Sequence, residues 1–193
     1  MCRIADPHGT MSAELPATRR YVQHHPLDAP GTNTVARELG VDGIPELWFD
    51  DIAARTIAYE SPRIAECNVD SENFIGAVTR LVTEPCVIIG PPADDAVARV
   101  IVMATGAPLP HWPERMQTRL ARLPGLVGHT SHRLIEQAPA PNSKIAALVL
   151  PVGGIAEAVF TDEAALLTVL PDLVDGEERG ATAVFRVKDY TFV

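Results

Sequence analysis

The sequence is short of basic charge. Its 193 residues hold 16 lysines and arginines against 25 acidic residues, a formal net charge of −9. That balance excludes nucleic acid as a main partner, because phosphates want a basic patch. It argues equally against an anionic membrane surface. Cysteine is scarce as well. Cys2, Cys67 and Cys86 are odd in number, widely separated and without metal-ligand spacing. They read as unpaired thiols of a reducing compartment, so a cytoplasmic location is expected. No run approaches the roughly 18 apolar residues of a membrane span. The opening MCRIADPHGTMSAE has no apolar core region and is not expected to act as a secretory signal. Metal, flavin and nucleotide motifs are missing, so no cofactor and no metal are expected. Gly153-Gly154 lacks a phosphate-loop context and reads as a turn.

The chain does contain an internal similarity. GIPELWFDDIAA (Gly43 to Ala54) and GIAEAVFTDEAA (Gly154 to Ala165) align without a gap. Upstream, Leu15 to Leu27 matches Leu123 to Ile135 more loosely, with Leu-Pro opening both. A tandem duplication fits these pairs. The expected units are residues 1–90 and 97–193, joined by a Pro- and Asp-rich linker at 91–96. In the second unit, VARVIVMAT (Val97 to Thr105) predicts a strand. Trp112, Met116, Leu120 and Leu123 recur at helical spacing. Strands are expected at Gly128 to Ile135, Gly154 to Phe160 and Ala181 to Val193. A helix capped by Thr161 is expected over Thr161 to Leu170. Lys144 to Val152 is an apolar segment of either kind: a further strand or an early start to the third. The order βαββαβ predicts an α+β, ferredoxin-like unit. The first unit follows it without a first strand: strands Arg19 to Leu27, Gly43 to Phe49 and Leu81 to Ile89, and a helix Ile52 to Cys67 broken at Ser61-Pro62.

Two such sheets, each with helices on one face, can pack face to face into a barrel. Alternation then sorts the side chains. Leu47 and Phe49 belong under helices, so Glu46 and Trp48 point inward. Glu157 and Val159 take the matching places in the second unit. A mid-strand carboxylate needs a partner. Tyr21, Gln23 and His25 alternate on one face and are expected inside, with a His25–Glu46 contact raising the imidazole pKa. His24 is expected against helices or at a rim. His129 and His132 fall on opposite faces and make a poor metal pair.

RRYVQHHPLD, VDGIPELWFDD and SPRIAECNVDSENFI resemble the EthD family of the dimeric α/β-barrel, ferredoxin-like superfamily. WPERMQTRLARLPGLVGH resembles the same family's first helix and second strand, in a degenerate second copy. The resemblance implies a barrel around a hydrophobic pocket that takes a small hydrophobic ligand and is usually formed by a homodimer. It implies a role for His8, which matches a family histidine on the first helix. Met116 replaces that histidine in the second copy, and His129 stands there in place of Tyr21. Family relatives include an accessory protein of ether degradation. Superfamily relatives act without cofactors as cyclases, dehydratases, isomerases and oxygenases.

Two functions are expected from this. One is a cofactor-independent cyclase, lyase or isomerase acting on a small carbonyl or phenolic compound. In it His25, Glu46, Tyr21 and His8 do proton chemistry, and Gln23, Trp48, His129 and Glu157 line the pocket. The other is a non-catalytic binding or accessory protein with the same pocket.

Overall fold

A computed structural model describes residues 8–28, 30–90, 98–106, 111–139, 143–174 and 180–193. In chain order the elements are α1 (Gly9–Ala13), β1 (Arg20–Pro26), α2 (Thr34–Leu39), β2 (Ile44–Trp48), α3 (Ile52–Glu60), α4 (Pro62–Ser71), β3 (Ala77–Val78) and β4 (Arg80–Ile89). Then come β5 (Ala98–Thr105), α5 (Trp112–Leu120), β6 (Leu126–Ala138), β7 (Ala146–Ala147), β8 (Val152–Phe160), α6 (Glu163–Val169) and β9 (Thr182–Thr191). The expected linker at 91–96 lies outside the described residues.

Local chemistry sets the element ends. Asp51 and Asp162 cap α3 and α6 by accepting from the amides of Ala54 and Ala165. The expected cap at Thr161 therefore moves one residue on. Asn33 opens α2, and Gly40, at φ 62°, closes it in the left-handed conformation that glycine takes without strain. Pro62 cannot continue α3, so the chain breaks at Ser61 and restarts as α4.

Seven strands form one antiparallel sheet in the order β2-β1-β9-β5-β8-β6-β4. Its centre, β9-β5-β8-β6, has the ferredoxin-like connection β5-α5-β6-β8-α6-β9. β1 joins on the β9 side and β4 on the β6 side. The barrel wall is thus one continuous curled sheet rather than two sheets packed face to face. Trp48 on β2 and Val87 on β4, from its opposite ends, line a single cavity. Lys144 to Val152 does both things at once: Ala146–Ala147 pairs in parallel with Ala77–Val78, and Val152 opens β8.

The core has three parts. Val100, Val102, Ala156 and Ala158 on one face of β5 and β8 pack under Trp112, Met116 and Leu120 of α5 and Leu166 and Val169 of α6. On the concave face Ile101, Met103, Phe185 and Val187 pack against Ala36 of α2. Leu47 and Phe49 meet Leu15, Ala58 and Ile64 under α3 and α4, as their alternation predicts. Gly153 and Gly154 are not a turn but part of β8. A Cβ on Gly154 would lie 2.5 Å from the Trp112 ring, so glycine is what lets α5 settle on the sheet.

Candidate functional site

Residues directly opposite each other in an antiparallel pair share a face. β1 pairs with β2 as Arg20↔Trp48, Val22↔Glu46 and His24↔Ile44, against Tyr21↔Leu47 and Gln23↔Pro45. The concave face of β1 is therefore Arg20, Val22 and His24. Tyr21, Gln23 and His25 share the helix-covered face with Leu47. This reverses the expected placement of Tyr21, Gln23, His25 and His24. The connection between the strands, which contains α2, is too long to fix a register from sequence.

The concave face carries a buried ionic chain. His24 Nδ1 lies 2.7 Å from Asp189 Oδ1, and His24 Nε2 lies 3.4 Å from Glu46 Oε2. Arg99 stands between two acids, with Nε 2.7 Å from Asp189 and Nη1 2.7 Å from Glu157. His132 Nε2 completes Glu157 at 2.7 Å, and its other nitrogen meets Thr83 Oγ1 at 3.2 Å. Burial disfavours charge on His24, but hydrogen bonds to Asp189 and Glu46 and the nearby carboxylates outweigh it and lift the imidazole to about 9. Burial likewise opposes charge on Glu157, yet His132, Arg99 and His24 hold its pKa below the usual carboxylate range. Asp189 is depressed in the same way by His24 and Arg99. The expected histidine–glutamate contact thus exists, with His24 in place of His25. His25 moves the other way, lowered by burial and by the neighbouring His24.

Ligand atoms of His24, Glu46 and Glu157 lie within 4.8 Å of one another, close enough to share a cation. His24 and Arg99 already neutralise these carboxylates. The adjoining cavity, with Arg20, Trp48, Thr130 and Val159 in its walls, is about 60 Å³. That is room for a water or two, not for a drug-sized molecule of roughly 300 Å³ or more.

The helix-covered face carries a second polar chain. His8 Nδ1 meets Asp70 Oδ2 at 3.0 Å, and Ser12 Oγ meets His8 Nε2 at 3.3 Å. Ser12 is also hydrogen-bonded to Tyr21. Gln23 Nε2 donates to the Tyr21 phenol at 2.7 Å, and Gln23 Oε1 lies 3.1 Å from His25 Nε2. One set of tautomers satisfies the whole line. His25 donates to Gln23, Gln23 to Tyr21, Tyr21 to Ser12, Ser12 to His8 and His8 to Asp70. Burial keeps Tyr21 protonated by raising its pKa. Phe192 stacks on Tyr21 at 5.2 Å and shields it. Asp70 opens on a groove of about 460 Å³ between α1 and α4, lined also by Met11, Ala65 and Val69.

Residues 2–77 match the family model for the EthD domain. That stretch of the chain is similar to the EthD family. Every member of the polar line from His8 to His25 and Asp70 lies within the EthD match. Comparison with curated proteins finds no match.

Of the eight candidate residues, the structure thus gathers His8, Tyr21, Gln23 and His25 on one side of the sheet. Glu46, Trp48 and Glu157 are on the other. His129 borders the same cavity as Trp48 and Glu157. Its register against Ala158 puts it on the helix-covered face of the second half, buried, with neither ring nitrogen hydrogen-bonded. Sequence reasoning missed Asp70, Ser12, Arg99 and Asp189, and weighed His132 only as half of a poor metal pair. The one available signal was Arg99, a charge at the start of an otherwise apolar strand.

Proposed function

We propose that the EthD segment binds a small apolar carbonyl or phenolic compound and moves a proton on it without a cofactor. The observation that carries this is the unbroken line Asp70–His8–Ser12–Tyr21–Gln23–His25 beneath the helices. Asp70 fixes the tautomer of His8, so Nε2 faces Ser12 as an acceptor. The adjoining groove mixes apolar Met11, Ala65 and Val69 with polar Glu66, Asp70 and Asn73, and Asp70 links it to the line. A ligand oxygen at Asp70 and His8 would meet a proton source backed by Ser12 and the neutral Tyr21 phenol. His25 and Glu46 do not act together in this reading. His25 closes the far end of the line, and Glu46 belongs to the ionic chain that holds the barrel.

The test is an NMR titration of His8, with a panel of small aromatic ketones and phenols, in wild type and Asp70→Asn. Support would be saturable shifts at Met11, Val69 and His8, with the His8 tautomer released in the variant. Shifts confined to other surfaces, or none, would refute it. The second reading, a binding or accessory protein, is favoured by one observation. Among the described residues the groove is open to solvent, and open sites exclude water poorly. Saturable binding with no solvent exchange of ligand α-protons would select it.

A further inference from the structure

The ionic chain on the concave face has one loose joint. The contacts His24–Asp189, Arg99–Asp189, Arg99–Glu157 and His132–Glu157 are all 2.7 Å long. His24 Nε2 and Glu46 Oε2 stand 3.4 Å apart. Charge-assisted hydrogen bonds run about 2.7–2.9 Å, so this pair is long for direct contact. Two ligand atoms each roughly 2.1 Å from a tetrahedral zinc ion are themselves about 3.4 Å apart. A Glu157 oxygen closes the triangle, with the three ligand atoms within 4.8 Å of one another.

The three side chains come from β1, β2 and β8. In the sheet order β2 and β8 are four strand intervals apart, about 19 Å in a flat sheet. Curling brings their carboxylates to one imidazole, and no sequence spacing records such a set. Two of the three are also held from behind. Asp189 takes the Nδ1 proton of His24, which presents Nε2 to the carboxylates. Arg99 and His132 orient Glu157. Outer contacts of this kind aim metal ligands.

We propose that His24 Nε2, Glu46 and Glu157 hold a zinc ion that ties β1, β2 and β8 together, with a water as fourth ligand. Glu157 borders the cavity of about 60 Å³, which has room for that water. One imidazole and two carboxylates suit zinc, whereas magnesium and calcium prefer oxygen ligands alone. The charges fit as well. Glu46, Glu157 and Asp189 bring three negative charges and Arg99 one positive, so neutral imidazoles leave two negative charges for a dication. In the metal-free chain a proton on His24 offsets part of this, and the ion takes that proton's place. Arg20, the other guanidinium at the cavity, lies 5.9 Å from the centre of the Trp48 ring. The site is separate from the groove at Asp70.

The test is calorimetric titration of the full chain, stripped with a chelator, with zinc chloride as probe and magnesium chloride as control. The expected result is one zinc ion per chain with a Kd below about 10 µM and little magnesium binding. Glu46→Gln should weaken zinc by more than about tenfold, and Asp189→Asn by about 10–100-fold through the imidazole it aims. Circular dichroism checks that both variants fold. A readout that needs no variant is the His24 ring resonances, which should move on zinc addition while those of His8 stay. Four outcomes overturn the proposal. One is no saturable binding up to about 1 mM zinc. Another is binding that folded Glu46→Gln leaves unchanged. A third is zinc shifts at His8 in place of His24, which puts the ion at Asp70. The fourth is equal affinity for magnesium, which makes the cluster a general cation patch.

Discussion

His24 is the residue whose protonation the fold depends on most. Its ring bridges Asp189 on β9 and Glu46 on β2, and its pKa in the folded chain is about 9 against an ordinary 6.5. A raised folded value means that the stabilisation is complete below pH 6.5 and is lost as pH rises through 9. The gap corresponds to at most roughly 3 kcal/mol. Urea unfolding midpoints should fall between pH 6.5 and 9.5, and His24→Gln should start lower and stay flat over that range. A flat wild-type profile would show that the bridge is not formed in solution. His129 has the opposite sign. Burial lowers its pKa and no partner among the described residues compensates, so its stability contribution is lost as pH falls below 6.5. Leaving a polar group buried without a partner costs about 1–3 kcal/mol. His129→Leu should therefore raise the unfolding free energy and remove part of the loss between pH 6.5 and 5. An unchanged acid limb would mean that His129 finds a partner in solution.

The elements were largely legible, and their faces only in part. β-branched runs located β5 and β9, the Trp112–Met116–Leu120 spacing located α5, and Pro62 marked the break between α3 and α4. These signals are local. α2 was not legible, because six residues cannot show a helical period. The faces of β2 were read correctly from the alternation of Leu47 and Phe49. Those of β1 were inverted, because Tyr21-Val22-Gln23-His24-His25 places polar groups on both sides. Only the register against β2 and β9 decides between them. Gly154 was misread for a related reason. Its meaning lies in Trp112, which belongs to another element. Gly154→Ala puts a methyl group into the indole and should cost about 1–3 kcal/mol, visible as a lowered Tm and a shifted tryptophan emission. Asp162→Ala removes the cap of α6 and should cost about 1 kcal/mol. An unchanged Tm in that variant would show that the α6 cap contributes nothing.

At the scale of the whole molecule, the EthD resemblance was read from short motifs in both parts of the chain, and the family match covers those within residues 2–77 and not WPERMQTRLARLPGLVGH. What those motifs could not convey was the pairing of distant strands. β1 meets β9, and β4 meets β6, across separations that no local pattern records. Hydrogen exchange should reflect the resulting order. Amides of β5, bonded on both sides, should exchange slowest and those on the outer edges of β2 and β4 fastest. Uniform protection across the sheet would contradict the open edges.

The β1–β2 pair also has a mechanical character. Within the sheet of described residues β2 pairs with β1 alone, and β1 is joined to the β9 end from Tyr21 to Leu27. It is a cantilever with one seam, and the His24–Asp189 contact is a rivet through that seam. Removing one proton from a buried imidazole therefore softens a whole arm of the sheet, and with it the Tyr21 and Gln23 positions that the same strand holds on its other face.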